Sequence, residues 1–201
     1  AGITDDGTVT VGVNLIATTD ANNGVIELDQ TTVGGTATLN THGSGDVIIE
    51  SDTEPIVLIT SAIGGTLTLR SGVAAGITDS GTVTVGGNLI ATTDANNGLI
   101  DLDQTTVMGT VALNTHGSGN ATFDNGASNL DLAASTVGGN LIVTSGNGIT
   151  DSGVITVEGT SHFISDVAGK VITLNSTNVM KGAVSITHTG AANVAIDNGT
   201  T

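Results

Sequence analysis

GITDSGTVTVGGNLIATTDANNGLIDLDQTTV, from Gly76 to Val107, decides how the rest of the chain is read. Gly2 to Val33 reads GITDDGTVTVGVNLIATTDANNGVIELDQTTV, so the same text stands earlier in the chain, Gly2 in the place of Gly76. A third opening, GITDSGVITVEG, starts at Gly148. Self-similarity at a long period marks a repeat architecture, in which each unit buries its apolar face against the next. The boundaries divide one continuous 201-residue segment into long repeats 2–75, 76–147 and 148–201, the last of them partial.

A shorter unit lies inside the long one. Val11, Val33, Ile63, Val85, Val107, Val137, Val157 and Met180 anchor it. The intervals Val33–Ile63 and Val107–Val137 are longer than the other five, and one long interval between two short ones makes up the long period. Two positions after the anchor stands Gly35, Gly65, Gly87, Gly109, Gly139, Gly159 or Gly182, with Val13 the exception. The next column holds Asn14, Thr36, Thr66, Asn88, Thr110, Asn140 and Thr160. Then come two mostly apolar columns two positions apart, such as Leu67 and Leu69 or Leu141 and Val143, the period of a strand with one buried face.

Columns that match across eight units are not explained by a sandwich or an up-and-down barrel. A parallel β-solenoid explains them, because each coil sets equivalent residues about 4.8 Å above the last. The reading is therefore an all-β solenoid of about eight coils, roughly 20–30 residues each. Leu15, Leu39, Leu67, Leu69, Leu89, Leu113, Leu141 and Val143 are expected to point inward and stack. The Asn and Thr column is expected to form an inter-coil ladder, amide to amide and hydroxyl to amide. The two long intervals hold extra apolar residues, within Ser51 to Leu58 and Gly126 to Leu132, read as an added strand or a bulged corner. Pro55 fits the start of such a strand.

Composition narrows the function classes. Two phenylalanines are the only aromatic residues, so the interior is narrow and filled by Val, Ile, Leu and Ala. Three basic residues against 19 acidic ones give a formal charge of −16, which opposes binding to nucleic acid or to an anionic membrane. There is no cysteine for disulfide or thiolate chemistry, and no apolar run long enough to span a bilayer.

The units TVGGNLIVTSGNGITDSG (136–153), TVTVGGNLIATTDANNG (82–98) and GASNLDLAAS (126–135) resemble the long β-strand repeats of filamentous-haemagglutinin-like proteins. Those are very large secreted or surface-attached proteins of Gram-negative bacteria. The resemblance implies a right-handed parallel β-helix, export to the cell surface or beyond, and a role as adhesin, fibre or matrix component.

No catalytic constellation accompanies the repeat. Asp5, Asp79 and Asp151 recur in GITD and are the candidates for a calcium row, with an Asx-type turn as the preferred reading. The nonapeptide of calcium-binding β-rolls is missing, and the DANNG stretches at 20–24 and 94–98 fall short of a calcium loop. His42 and His116 share the context Asn-Thr-His-Gly-Ser-Gly and are expected at exposed corners three coils apart; His162 and His188 read the same way. Carboxylate pairs Glu27/Asp29 and Asp101/Asp103 are what a carbohydrate-active β-helix would need, but no Trp or Tyr is present to stack a sugar. Thr-x-Thr pairs at 8/10, 36/38, 66/68 and 82/84 suggest an ice- or glycan-binding face, provided the threonines run unbroken. The expectation is an extracellular or cell-surface rod without catalysis or cofactor. Ala1–Val11 and Val194–Gly199 both read as ordinary repeat, so its partners are expected to be further coils of the same chain or stacked copies, with surface glycans or proteins as ligands.

Overall fold

A computed structural model of the chain describes residues 2–20, 23–94 and 97–199. The middle residues of the two DANNG stretches, Ala21-Asn22 and Ala95-Asn96, lie outside the described residues, as do Ala1, Thr200 and Thr201. The described chain is all-β, and every strand pair in it is parallel. Its 27 strands wind three to a turn, giving nine turns and a rod about 43 Å long at about 4.8 Å per turn.

Two sheets face each other across one apolar core. On the front face, Ile3–Thr4, Ile26–Leu28, Val47–Ser51, Leu67–Ser71, Leu89–Thr93, Thr110–Asn114, Leu130–Leu132, Ile149–Asp151, Ile172–Leu174 and Val194–Ile196 stack in order. On the back face the column runs Leu15–Thr18, Ala37–Asn40, Ile56–Leu58, Ile77–Asp79, Ile100–Leu102, Ala121–Asp124, Leu141–Ser145, Ser161–Ser165 and Val184–His188. Each turn lays one long strand on one face and two short ones on the other. From residue 47 to 114 the long strands are in front, and the pairs Ile56–Leu58/Ser61–Ile63, Ile77–Asp79/Val83–Val85 and Ile100–Leu102/Thr105–Val107 are behind. From residue 121 onward the long strands are behind and the short pairs in front.

The two long intervals make that exchange. Each contains four strands where the others contain three, so it carries the chain one and a half times round the axis. The long strand Ala37–Asn40 accordingly pairs at Ala37 with Leu58 and at Asn40 with Ala62, in two different short strands. Thr110–Asn114 does the same with Leu132 and Thr136. The inserted strands are Ile56–Leu58, directly after Pro55, and Leu130–Leu132. One turn, one and a half turns and one turn make three and a half turns per long repeat. This corrects two expectations. The rod has nine turns for its eight anchors. Equivalent residues also do not form one column: Leu15 stacks on Ala37 behind, Leu67, Leu89 and Val111 stack in front, and Leu141 stacks under Ser161 and Val184 behind.

The inward residues are those that the period-2 pattern indicates. Leu39, Leu67, Leu69, Leu89, Leu113, Leu141 and Val143 are buried, and Leu15 is partly buried against them. In front the central core column is Leu28, Ile49, Leu69, Ala91 and Leu113. Behind it runs Leu102, Phe123, Val143, Phe163 and Ile186, so both phenylalanines fill the half with long strands behind. A narrow core of stacked aliphatic rows needs few aromatics, because each side chain packs on its own counterpart one strand spacing away.

Glycine lines both edges. Gly65, Gly87 and Gly109 stack on one edge, each N–H donating to the carbonyl below at 2.8–2.9 Å. Gly139, Gly159 and Gly182 stack on the opposite edge in the same way. A Cβ on Gly87 would sit 2.6 Å from the carbonyl carbon of Gly65, too close for any side chain.

Candidate functional site

The outward polar columns are spent chiefly on holding one turn to the next. Asn14 Oδ1 accepts the Thr36 N–H at 3.0 Å, Asn88 Oδ1 that of Thr110 at 2.9 Å, and Asn140 Oδ1 that of Thr160 at 2.8 Å. Thr160 Oγ1 also donates to Asn140 Oδ1 at 3.0 Å. The ladder thus runs from side-chain carbonyl to backbone amide; amide-to-amide pairing does not occur in these steps. A parallel strand leaves its first N–H short of a partner, and an amide oxygen one turn below satisfies it.

The ladder has members that the unit columns did not include. Asp46 Oδ1 accepts from Thr66 N–H at 2.6 Å, and Asn120 Oδ1 from Asn140 N–H at 2.8 Å. Both stand in Gly-[Asp/Asn]-apolar triplets, Gly45-Asp46-Val47 and Gly119-Asn120-Ala121, the same local text as Gly87-Asn88-Leu89. That triplet was the available signal.

The recurring aspartates bind across turns. Asp79 accepts from the N–H groups of Asp103 (3.2 Å) and Gln104 (3.1 Å) and from the Thr105 hydroxyl (2.6 Å). Asp5 accepts from Gln30 N–H and Thr31 Oγ1, and Asp151 from Asn175 N–H, Ser176 N–H and Asn178 Nδ2. These donors belong to the following turn, so the Asx-turn reading, with bonds two positions on, is corrected. Each aspartate tethers the kink between the two short strands of that turn. Burial pushes the Asp79 carboxyl above its usual range, against the pull of Thr105 and the two N–H groups. Asp101 is raised for the same first reason, with the Asp103 charge second. Among the described residues no three His, Asp or Glu side chains converge as a metal site.

His42 and His116 are exposed at corners. His42 lies between Ala37–Asn40 behind and Val47–Ser51 in front, and His116 between Thr110–Asn114 in front and Ala121–Asp124 behind. They are therefore three and a half turns apart on opposite edges, which corrects the three-coil spacing. His162 and His188 are both half-buried and lie within the strands Ser161–Ser165 and Val184–His188, which corrects the exposed-corner reading; His162 shares a hydrogen bond of 2.8 Å with Thr187. Glu27, Asp29, Asp101 and Asp103 are all exposed, the first pair at the front strand Ile26–Leu28 and the second at the back strand Ile100–Leu102. Arg70 bridges three turns in front, with Nη1 3.1 Å from Glu50 and Nη2 2.6 Å from Asp94. The outward threonines are interrupted: one front column reads Glu27, Ile48, Thr68, Ile90, Ala112, and its neighbour Glu50, Arg70, Thr92, Asn114. An unbroken Thr array is not present on that face.

The two face exchanges differ in one detail of chemistry. Where the short-strand column behind ends, above Thr105–Val107, the Asn125 side chain takes the place of the missing strand. Its Oδ1 accepts the Val107 N–H at 2.7 Å and its Nδ2 donates to the Val107 carbonyl at 3.2 Å. Nδ2 also donates to the Asn129 carbonyl. Asn198 treats Met180 identically, at 2.7 and 3.1 Å. At the first exchange the position of Asn125 is held by Ser51, whose hydroxyl closes its own loop by donating to the Glu54 carbonyl at 2.8 Å. Among the described strands, Thr31–Val33 beneath pairs only with Val9–Val11; its other edge has no strand partner, although Thr31 and Val33 are buried. A shallow groove borders that edge, lined by Asp29, Thr31, Thr32, Glu50, Asp52 and Thr53 among others. Across it the hydroxyls of Thr32 and Thr53 share a hydrogen bond of 2.8 Å.

A family described as repeats of unknown function (DUF5649) matches residues 44–114 and again 118–187. The two matches begin at equivalent places in successive long repeats, and together they cover more than half of the chain. The chain belongs to that family, and it is a repeat protein of β-solenoid fold. Neither a curated protein nor a solved structure matches it significantly.

Proposed function

We propose that the segment serves as a rod and adhesive surface of a bacterial extracellular or cell-surface protein, working by shape and length without catalysis, cofactor or bound metal. The observation that carries this reading is the use of the polar side chains. The Asn and Asp oxygens at 5, 14, 46, 79, 88, 120, 140 and 151 each accept from a donor in the next turn, which extends and stiffens the rod. The likeness to filamentous-haemagglutinin repeats supports the surface location. Its partners on this reading are further coils of the same chain or stacked copies, because a parallel strand edge takes up another strand. Beads coated with the folded chain should adhere to cells, and beads coated with the core-disrupted variant Leu89→Asp should not. Equal adhesion by both would remove shape from the explanation, and turnover of an oligosaccharide by the folded chain would remove the non-catalytic role.

A further inference from the structure

We infer that Asn147 is a site of enzyme-free succinimide formation and deamidation, and that the fold selects it from five Asn-Gly pairs. The pairs are Asn23-Gly24, Asn97-Gly98, Asn125-Gly126, Asn147-Gly148 and Asn198-Gly199. A glycine after asparagine presents a backbone nitrogen with no side chain in the way, so all five are chemically open to ring closure. Four of them are locked. Asn125 holds Val107 through both ends of its carboxamide, and Asn198 holds Met180 in the same way. The nitrogens that would attack them are held too, the Gly126 N–H by Asp124 Oδ1 at 2.8 Å and the Gly199 N–H by Asp197 Oδ1 at 2.9 Å. Asn23 and Asn97 have left-handed backbone, with φ of 55° and 54°, and their Oδ1 atoms accept the Ser44 and Ser118 N–H groups at 2.8 Å.

Asn147 is exposed, and among the described residues it bonds only through its backbone N–H, to Ser145 Oγ at 3.2 Å. Gly148 is buried, as Gly24 and Gly98 are, but only its carbonyl is engaged, by Leu130 N–H at 3.0 Å and by Ser145 Oγ at 2.8 Å. The carboxamide is therefore free to turn, and the nitrogen beside it is uncommitted. Hydroxide takes the Gly148 amide proton and the nitrogen attacks Asn147 Cγ. The N–Cγ bond forms as the Cγ–Nδ2 bond breaks, and ammonia leaves. Water then opens the ring, giving aspartate when it attacks Cγ and isoaspartate when it attacks the main-chain carbonyl; nothing is oxidised or reduced. Either product adds one negative charge at the corner between Leu141–Ser145 and Ile149–Asp151. Isoaspartate also routes the main chain through Cβ, which displaces the Gly148 carbonyl from its donors Leu130 and Ser145.

The test incubates the folded chain in mildly alkaline buffer, digests samples over time, and follows each Asn-Gly peptide by mass spectrometry, with isoaspartate as the diagnostic product. Asn147 is expected to react about tenfold faster than any of the other four, each of which must first break a hydrogen bond. The same incubation in concentrated urea should bring the five rates together, because the unfolded chain offers every pair the same freedom. Equal rates at all five sites of the folded chain would overturn the proposal. So would a faster reaction at one of the locked four, or an Asn147 lead that persists undiminished in urea, since sequence and not the fold would then select the site.

Discussion

The segments 33–63 and 107–137 perform the same operation on the same backbone, yet one leaves a strand edge without a partner and the other gives it one. Each adds a half turn and passes the long strand from one face to the other. They share the Asn-Thr-His-Gly-Ser-Gly corner and then diverge, into Asp-Val-Ile-Ile-Glu-Ser-Asp-Thr-Glu-Pro in the first and Asn-Ala-Thr-Phe-Asp-Asn-Gly-Ala-Ser-Asn in the second. The comparison teaches that the exchange is made by chain length, and that side chains only decide how well its seam is sealed. Ser51 is too short to reach Val33, whereas the Asn125 carboxamide matches the spacing of one backbone N–H and one C=O.

The largest effect should come from the turns that both exchanges share. Leu89 is buried between Leu67 and Val111, and Leu89→Asp places an unpaired carboxylate there. Loss of the β-sheet circular dichroism signal is expected, since an uncompensated buried charge exceeds the stability of most domains. A folded variant would mean that the rod tolerates a broken turn and that its two halves are independent. Truncating the core at each exchange comes next. Phe123→Ala should cost about 3–5 kcal/mol and Ile49→Ala about 2–5 kcal/mol by urea unfolding, with the phenylalanine the more damaging. The reverse order would place the tighter packing at the first exchange.

A smaller effect is expected at the seam. Asn125→Ser should cost about 1–3 kcal/mol and speed hydrogen exchange at the Val107 amide, which loses its acceptor. Ser51→Asn should slow exchange at Val33 if the two seams are interchangeable. An unchanged Val107 rate would show that the carboxamide is ornamental.

The acidic residues beneath the second exchange should report on pH. A carboxyl whose folded pKa is raised adds stability below the ordinary carboxylate range and loses it as pH rises through the folded pKa. At neutral pH the ionised Asp101 is therefore a small cost, so Asp101→Asn should raise the Tm slightly at pH 7. That gain should disappear below about pH 4, where both carboxyl and amide are uncharged. A gain that persists in acid would point to packing in place of charge. The smallest effect is reserved for calcium. With the Asp5, Asp79 and Asp151 oxygens already bonded to donors of the next turn, Tm should be the same in millimolar calcium and in chelator. An upward shift of the midpoint with calcium would make those kinks metal sites.

Much of this was legible beforehand, and for local reasons. The inward set from Leu39 to Val143 follows from side-chain alternation, which every strand obeys wherever it lies. The added strands at Ile56–Leu58 and Leu130–Leu132 showed as surplus apolar residues. The Asn and Thr column is visible in the sequence, but its partners are not, because the donors belong to backbone that carries no sequence signal. Asn125 and Asn198 each stand in Asp-Asn-Gly, which by itself reads as a turn. Their partners, Val107 and Met180, lie at a separation that matches neither the unit nor the long repeat.

Sequence by itself determined the parallel stack, the buried rows and the glycine corners, since these depend on alternation, on residue size and on a period that each unit repeats. Only the tertiary structure decided which face each unit occupies. A coil closes when enough residues have gone round the core, as Val47 under Leu67 and Leu67 under Leu89 show; the long repeat is therefore three and a half circuits, not a whole number. Identical text such as Asn14-Leu15-Ile16 and Asn88-Leu89-Ile90 consequently looks out from opposite faces of the rod.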